Sequence, residues 1–146
     1  MAFNGTNKIG ALDPDGMDMR YYEVPDERTR VRRLDLDSHD IVWFVNSTLG
    51  KIGKLDPETG QITQWDSPSG PKSHPNSMAV IDAVIWFNES GMRPDALVRF
   101  NPATETFQSW AIPSGVGIIR NTWVTEAGDL LIHQSSSNQV GLVKIN

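Results

Sequence analysis

Three short polar runs carry the residue types best suited to ligand chemistry. They are Arg32-Arg33-Leu34, Asn76-Ser77-Met78 and Asn121-Thr122-Trp123, with Arg120 directly before the third. Aligned on Arg32, Asn76 and Asn121 they stand 44 and 45 residues apart. Guanidinium groups clamp carboxylates and oxyanions through paired N–H donors, and amides add donors and acceptors beside them. Converging, Arg32, Arg33, Asn76, Ser77, Arg120 and Asn121 would bind an anionic or amide-rich ligand. The same residues would equally line a plain, water-filled polar channel. His74, two residues before Asn76, is the imidazole placed to act as a base beside them, and Glu89 and Glu27 are the nearest carboxylates. His39 falls in a turn and His133 in a strand, where structural roles are commoner. The chain has no cysteine. It also has no His/Glu cluster at ligand spacing, so no metal site is expected from the residues themselves.

The spacing of these runs comes from a longer repeat. Lys8-Ile9-Gly10-Ala11-Leu12-Asp13-Pro14-Asp15-Gly16 returns as Lys51-Ile52-Gly53-Lys54-Leu55-Asp56-Pro57-Glu58-Thr59-Gly60. A third copy is Ala96-Leu97-Val98-Arg99-Phe100-Asn101-Pro102-Ala103-Thr104, and Gly141-Leu142-Val143-Lys144-Ile145-Asn146 begins a fourth. Asp13, Asp56, Asn101 and Asn146 are spaced by 43, 45 and 45. Trp43-Phe44 and Trp86-Phe87 keep the period, with Ile132-His133 as the third counterpart. Such a period, built from strands and turns, predicts all-β propeller blades of four antiparallel strands. In the middle copy the strands are expected at Ser77–Ile81, Val84–Asn88, Ala96–Phe100 and Thr106–Ala111. The Asp-Pro turns place Gly16 and Gly60 where a positive φ is useful. No 3.6-residue periodicity predicts a helix. Trp43, Trp86 and Trp110 are expected to pack between blades.

The 146 residues read as one half-propeller domain. Its repeats run over about 7–49, 50–94 and 95–140, with 141–146 starting another. Asn7–Leu12 is in third-strand phase and Met19–Val24 in fourth-strand phase. Two complete blades follow, then Ile118–Val124, Leu130–His133 and Leu142–Ile145. Three blades per chain are too few for a closed ring, whose common range is about four to eight. A homodimer would give six, each Met19–Val24 strand completing the partner's last blade. The alternative is a fragment whose missing blades lie on another chain.

The net charge of −5 argues against a nucleic-acid partner. No apolar run reaches the roughly 20 residues of a membrane span, and no signal-peptide pattern is present, so a cytoplasmic location is expected. Arg28, Arg30, Arg32 and Arg33 form a local basic run that either clamps an anion or pairs with Glu27, Asp35 and Asp37. Strand alternation puts the longer connections, including Pro25–Val31, Asp66–Pro75, Asn88–Asp95 and Pro113–Arg120, on one face of the ring. Sites concentrate on such loops.

The module at Lys51–Gly60 resembles the virginiamycin B lyase (streptogramin lyase) family. So do Trp86-Phe87-Asn88-Glu89-Ser90 and Arg99-Phe100-Asn101-Pro102-Ala103-Thr104-Glu105-Thr106-Phe107-Gln108-Ser109-Trp110. The likeness covers about residues 7–146 and is to the C-terminal half of longer members. It implies a propeller, seven-bladed in that family. It also implies a C–O lyase that opens a cyclic depsipeptide ester by elimination, with Mg²⁺ polarising the ester. The family places a catalytic His and a Glu-x-His pair at first-strand starts. This chain departs from that pattern: it has no Glu-x-His, and those positions hold Arg32, Asn76 and Asn121. Two functional readings follow. One is lyase-type elimination with His74 as base and Glu89 as carboxylate. The other is a non-catalytic propeller that binds a small molecule or peptide, or serves assembly, through its polar central face.

Overall fold

The computed structural model describes residues 1–115 and 117–145. It contains fourteen strands and one 3-10 turn at Gly70–Lys72. The first sheet is β1 (Ala2–Phe3), β2 (Lys8–Leu12) and β3 (Met19–Glu23). The second is β4 (Val31–Leu36), β5 (Val42–Asn46), β6 (Lys51–Leu55) and β7 (Ile62–Asp66). The third is β8 (Pro75–Ile81), β9 (Val84–Glu89), β10 (Ala96–Asn101) and β11 (Thr106–Ala111). The fourth is β12 (Ile119–Val124), β13 (Leu130–Gln134) and β14 (Gln139–Val143). All pairings are antiparallel, and the first strands of successive sheets touch, β4 against β8 and β8 against β12.

The chain therefore forms an arc of propeller-like sheets, two complete blades flanked by two three-stranded ones. The expected count of three blades becomes four sheets, because the fourth-phase strand β3 stays in its own sheet. It pairs with β2 from Lys8↔Glu23 to Leu12↔Met19. Val24 N–H donates to Asn7 O (2.8 Å), Asn7 Nδ2 donates to Val24 O (3.0 Å), and the Tyr22 hydroxyl donates to Pro57 O (2.8 Å). β1, unmarked in the sequence, caps the other edge of β2. The last strand begins at Gln139, ahead of the expected Leu142, and the fourth repeat marker, Asn146, lies outside the described residues. Among the described residues no helix is long and apolar enough to cross a membrane.

Alternation along the strands makes both faces of each blade apolar, which neighbouring sheets bury. Phe44, Val31, Leu55, Ile9 and Val24 join the first two sheets. Trp43, Val45, Ile52, Phe87, Val98 and Phe100 join the second and third. Trp86, Leu97, Ile119, Leu130 and Ile132 join the third and fourth. The glycine of the module exists for this packing: a Cβ on Gly53 would lie 2.1 Å from the Phe44 ring. The turns after the third strands are held by the module's Asp or Asn. Asp13, Asp56 and Asn101 each accept the N–H two residues on, at 2.9–3.0 Å. The left-handed residue comes four positions after each: Met17, Gly60 and Glu105 have φ of 58°, 76° and 53°. Gly16 is thus one residue early for the role its type suggested.

The end of β14 is tied down by charge. Lys144 Nζ donates to Asp129 Oδ2 (2.6 Å) and Ile145 N–H to Asp129 Oδ1 (3.0 Å). These bonds, the lysine first, hold the Asp129 carboxyl below the ordinary carboxylate range. A carboxyl depressed in the folded state stabilises the fold above its unfolded pKa of about 4, and that contribution is lost as pH falls through the folded value. Asp129→Asn is expected to lower Tm at pH 7, with the gap from the native sequence closing below about pH 4. Thermal denaturation between pH 7 and 2.5 checks this.

Candidate functional site

The inner strands place the polar runs side by side, one residue away from the sequence alignment. Val31, Pro75 and Ile119 pair with Asn46, Glu89 and Gln134 at the far ends of the second strands. The equivalent residues are therefore Arg32, Asn76 and Arg120, followed by Arg33, Ser77 and Asn121. The sequence alignment misses this because the hairpins differ in length. Asp82-Ala83 is a two-residue turn with φ of 48° and 59°, a pairing that suits the strand twist. Its counterparts are five-residue loops, 37–41 and 125–129.

The three arginines share one rim. Arg32 Nε donates to Asn76 Oδ1 (2.9 Å), Arg33 Nη1 to Arg32 O (3.0 Å), and Arg120 Nε to Ser135 Oγ (3.1 Å). Burial, then the charges of Arg32 and Arg120, lower the pKa of Arg33. Among the described residues the ion pairs are Lys8–Glu23, Arg28–Asp26, Lys51–Asp66, Arg93–Asp95 and Lys144–Asp129. None uses these arginines. Ser77 accompanies them: its N–H and hydroxyl contact Asn88 Oδ1 (2.8 and 3.0 Å), and its Oγ lies 2.7 Å from Thr122 Oγ1. A cavity of about 320 Å³ opens along these strands, lined by Arg33, Asp35, Ser77, Asn121, Thr122 and Trp123 among others. Its acid, Asp35, accepts the N–H groups of Val80 and Leu36 (both 2.9 Å). The basic run is not a single clamp: Arg28 pairs with Asp26, and Arg30 donates to the carbonyls of Glu27 and Thr29.

His74 and Glu89 sit differently. His74 is exposed, at φ 44° on the loop after Gly70–Lys72. Glu89 is 1% exposed. It accepts the Ser67 hydroxyl, Ser69 N–H (3.0 Å) and the Ser69 hydroxyl (2.6 Å). The structure gives no hydrogen bond between His74 and Glu89. Glu89 belongs to a repeated device that sequence reasoning missed. Asn46, Glu89 and Gln134 end the second strands, and all three are buried. Each braces the loop entering its own blade: Asn46 through Thr29 and Arg30 N–H, Glu89 through Ser67 and Ser69, Gln134 through the Ser114 hydroxyl (2.8 Å). A polar residue three places after the first residue of each Trp-Phe pair, at Asn46 and Glu89, was the available signal. Glu27 and His39 are exposed, and His133 is half-buried on β13 opposite Asn121.

Mg²⁺ does not fit this donor set. The rim is cationic, and the serines occupy both oxygens of the buried Glu89. No cluster of three His, Cys, Asp or Glu occurs among the described residues. Asp95, fully buried directly before β10 and 3.1 Å from Arg93 Nη1, has its pKa raised by burial.

Trp110 departs from expectation. It stacks on buried Trp86 (ring centroids 5.8 Å) yet remains 47% exposed, because nothing covers the outer side of that junction among the described residues.

No protein-family model and no curated protein matches the sequence. Solved structures share the fold. A catalytically inactive His-to-Ala variant of virginiamycin B lyase from Staphylococcus aureus, with quinupristin, matches at TM-score 0.84 and 23% identity. The match covers 99% of this chain and 50% of that one. Selenomethionine-substituted virginiamycin B lyase from the same organism matches at TM-score 0.78 and 24% identity, over 98% and 50% of the two chains. A streptogramin B lyase structure matches at 0.76 and 17% identity, over 99% and 53%. The chain thus has a virginiamycin B lyase-like propeller architecture and spans about half the length of these structures.

Proposed function

We propose that this half-propeller is a ligand-binding module whose inner face takes a carboxylate or similar anion on Arg32, Arg33 and Arg120. The supporting observation is the cluster itself: three guanidinium groups on one rim with no carboxylate paired to them among the described residues. Like charges held together disfavour one another until an anion binds. Asn76 and Ser135 orient two of the three, which reduces the ordering cost of binding. A cyclic depsipeptide is also to be tried, because a lyase of this fold is described with quinupristin; its ester carbonyl would accept from the guanidinium groups, and opening the ring would release a carboxylate to them. Ring opening by elimination needs a base, and His74 is the exposed imidazole on this loop face.

Calorimetry and thermal denaturation with quinupristin and with simple dicarboxylates test the reading. Binding is expected to raise Tm and to weaken with salt. Arg33→Ala removes charge-assisted hydrogen bonds of about 1.5–3 kcal/mol, a loss of roughly tenfold or more in affinity. Elimination opens the ring without changing its mass, so chromatographic separation with tandem mass spectrometry of the quinupristin reports ring opening separately, and His74→Ala should abolish that alone. If neither ligand raises Tm, or Arg33→Ala leaves the shift unchanged, the anion site is ruled out.

A further inference from the structure

The cavity of about 320 Å³ beside the arginines runs along β4, β8 and β12, the first strands that touch one another from sheet to sheet. Such strands face the central channel of a propeller. The directions of the hydrogen bonds at this cavity follow from one backbone donor. Ser77 N–H meets the Asn88 side chain at 2.8 Å, so the atom it meets is the acceptor Oδ1, which settles the orientation of that amide. Asn88 Nδ2 then donates to Ser90 Oγ at 2.6 Å. The Ser77 hydroxyl lies 3.0 Å from the same Oδ1, an atom without a proton, and so donates to it. Ser77 Oγ also lies 2.7 Å from Thr122 Oγ1. With the serine proton already committed, Thr122 is the donor in that contact. Thr122 Oγ1 is then left with lone pairs alone. Thr122 is half-buried and lines the cavity together with Arg33. Among the described residues no group donates to its oxygen. Asp35, the carboxylate of the cavity, already holds a backbone N–H on each oxygen.

We propose, resting on the anion site above, that Thr122 selects the ligand there, and that the ligand is a hydroxy acid. Its carboxylate takes Arg33 and the neighbouring guanidinium groups. A hydroxyl close to that carboxylate donates to Thr122 Oγ1. The donor is neutral, because an ammonium in this cavity would stand beside Arg33, which already feels the charges of Arg32 and Arg120. A ligand offering only acceptors at this point would set lone pairs against lone pairs. One offering a methylene would leave the threonine oxygen without a donor, which a site built for a hydroxyl penalises. The arginines thus choose by charge and Thr122 by the presence of a proton to share.

Calorimetry on the full chain with succinate, both enantiomers of malate and L-aspartate tests this, since these acids differ only in the hydrogen, hydroxyl or ammonium on one carbon. One malate enantiomer should bind about two- to tenfold more tightly than succinate, the range of one net hydrogen bond, and more tightly than aspartate. Thr122→Val keeps the shape and removes the hydroxyl. It should bring malate level with succinate while leaving succinate binding unchanged, and Thr122→Ser should restore the preference. If Thr122→Val weakens both acids equally, Thr122 is only a brace for Ser77 and the proposal is overturned. A native chain that takes malate no better than succinate, or that prefers aspartate, overturns it as well, with the anion site intact. If neither succinate nor malate binds, the anion site itself falls, and the selecting role of Thr122 falls with it.

Discussion

Phe100→Ala is expected to cost about 3–5 kcal/mol of folding stability, the range for removing a large buried aromatic without full collapse of the site. Phe100 has no exposed surface. Its ring lies 4.5 Å from Phe107, 5.1 Å from Trp65 and 6.2 Å from Trp43. It is thus the point at which the two complete blades meet, and both tryptophans of the second sheet pack around it. Neighbouring side chains cannot readily fill the void, because each is fixed by its own strand register. Urea denaturation should show a lowered midpoint with little change in slope. A loss below about 1.5 kcal/mol, typical of well-tolerated core swaps, would mean that the blades are not held together at this junction.

Glu89→Ala is expected to cost about 2–4 kcal/mol, because it strands one buried and two half-buried donors that the carboxylate now satisfies. The Ser67 hydroxyl, the Ser69 N–H and the Ser69 hydroxyl all lose their acceptor at once. The loop they hold leads through Gly70–Lys72 to His74 and Asn76, so the damage reaches the inner face. Glu89→Gln retains one acceptor oxygen and should cost about half as much. Hydrogen exchange should show the 67–74 loop opening in Glu89→Ala while the second sheet stays protected. An unchanged melting temperature for Glu89→Ala would mean that the carboxylate is not structural and would return it to the list of chemical groups.

Glu89 shows why site residues are harder to read than blades. In the sequence it is a carboxylate beside a first-strand start, within reach of His74. Only the folded chain shows the two serines from the preceding loop meeting it, 20 and 22 residues away. Asn46 and Gln134 make the same kind of brace. The position recurs with three different residue types, so the only mark it leaves in the sequence is a polar residue three places after Trp43 and Trp86. Arg120 and Asn121 tell a similar story on a smaller scale. A shorter hairpin at Asp82-Ala83 moves the first-strand register by one residue. That brings Arg120, rather than Asn121, level with Arg32.

By itself the sequence determined what local chemistry and periodicity control. The 43–45 residue spacing, the Asp-Pro turns and the alternating apolar residues specify antiparallel blades, and among the described residues there is no α-helix. These features depend on residues close in the chain, and every copy of the repeat states them again. Tertiary structure alone decided which polar groups converge and which are spent on bracing. It set β3 against β2, stacked Trp110 on Trp86, and brought three arginines from two strands onto one rim. Those outcomes turn on contacts between sheets, where bulges and hairpin lengths shift a side chain by a residue. A repeat read along one dimension does not carry that information.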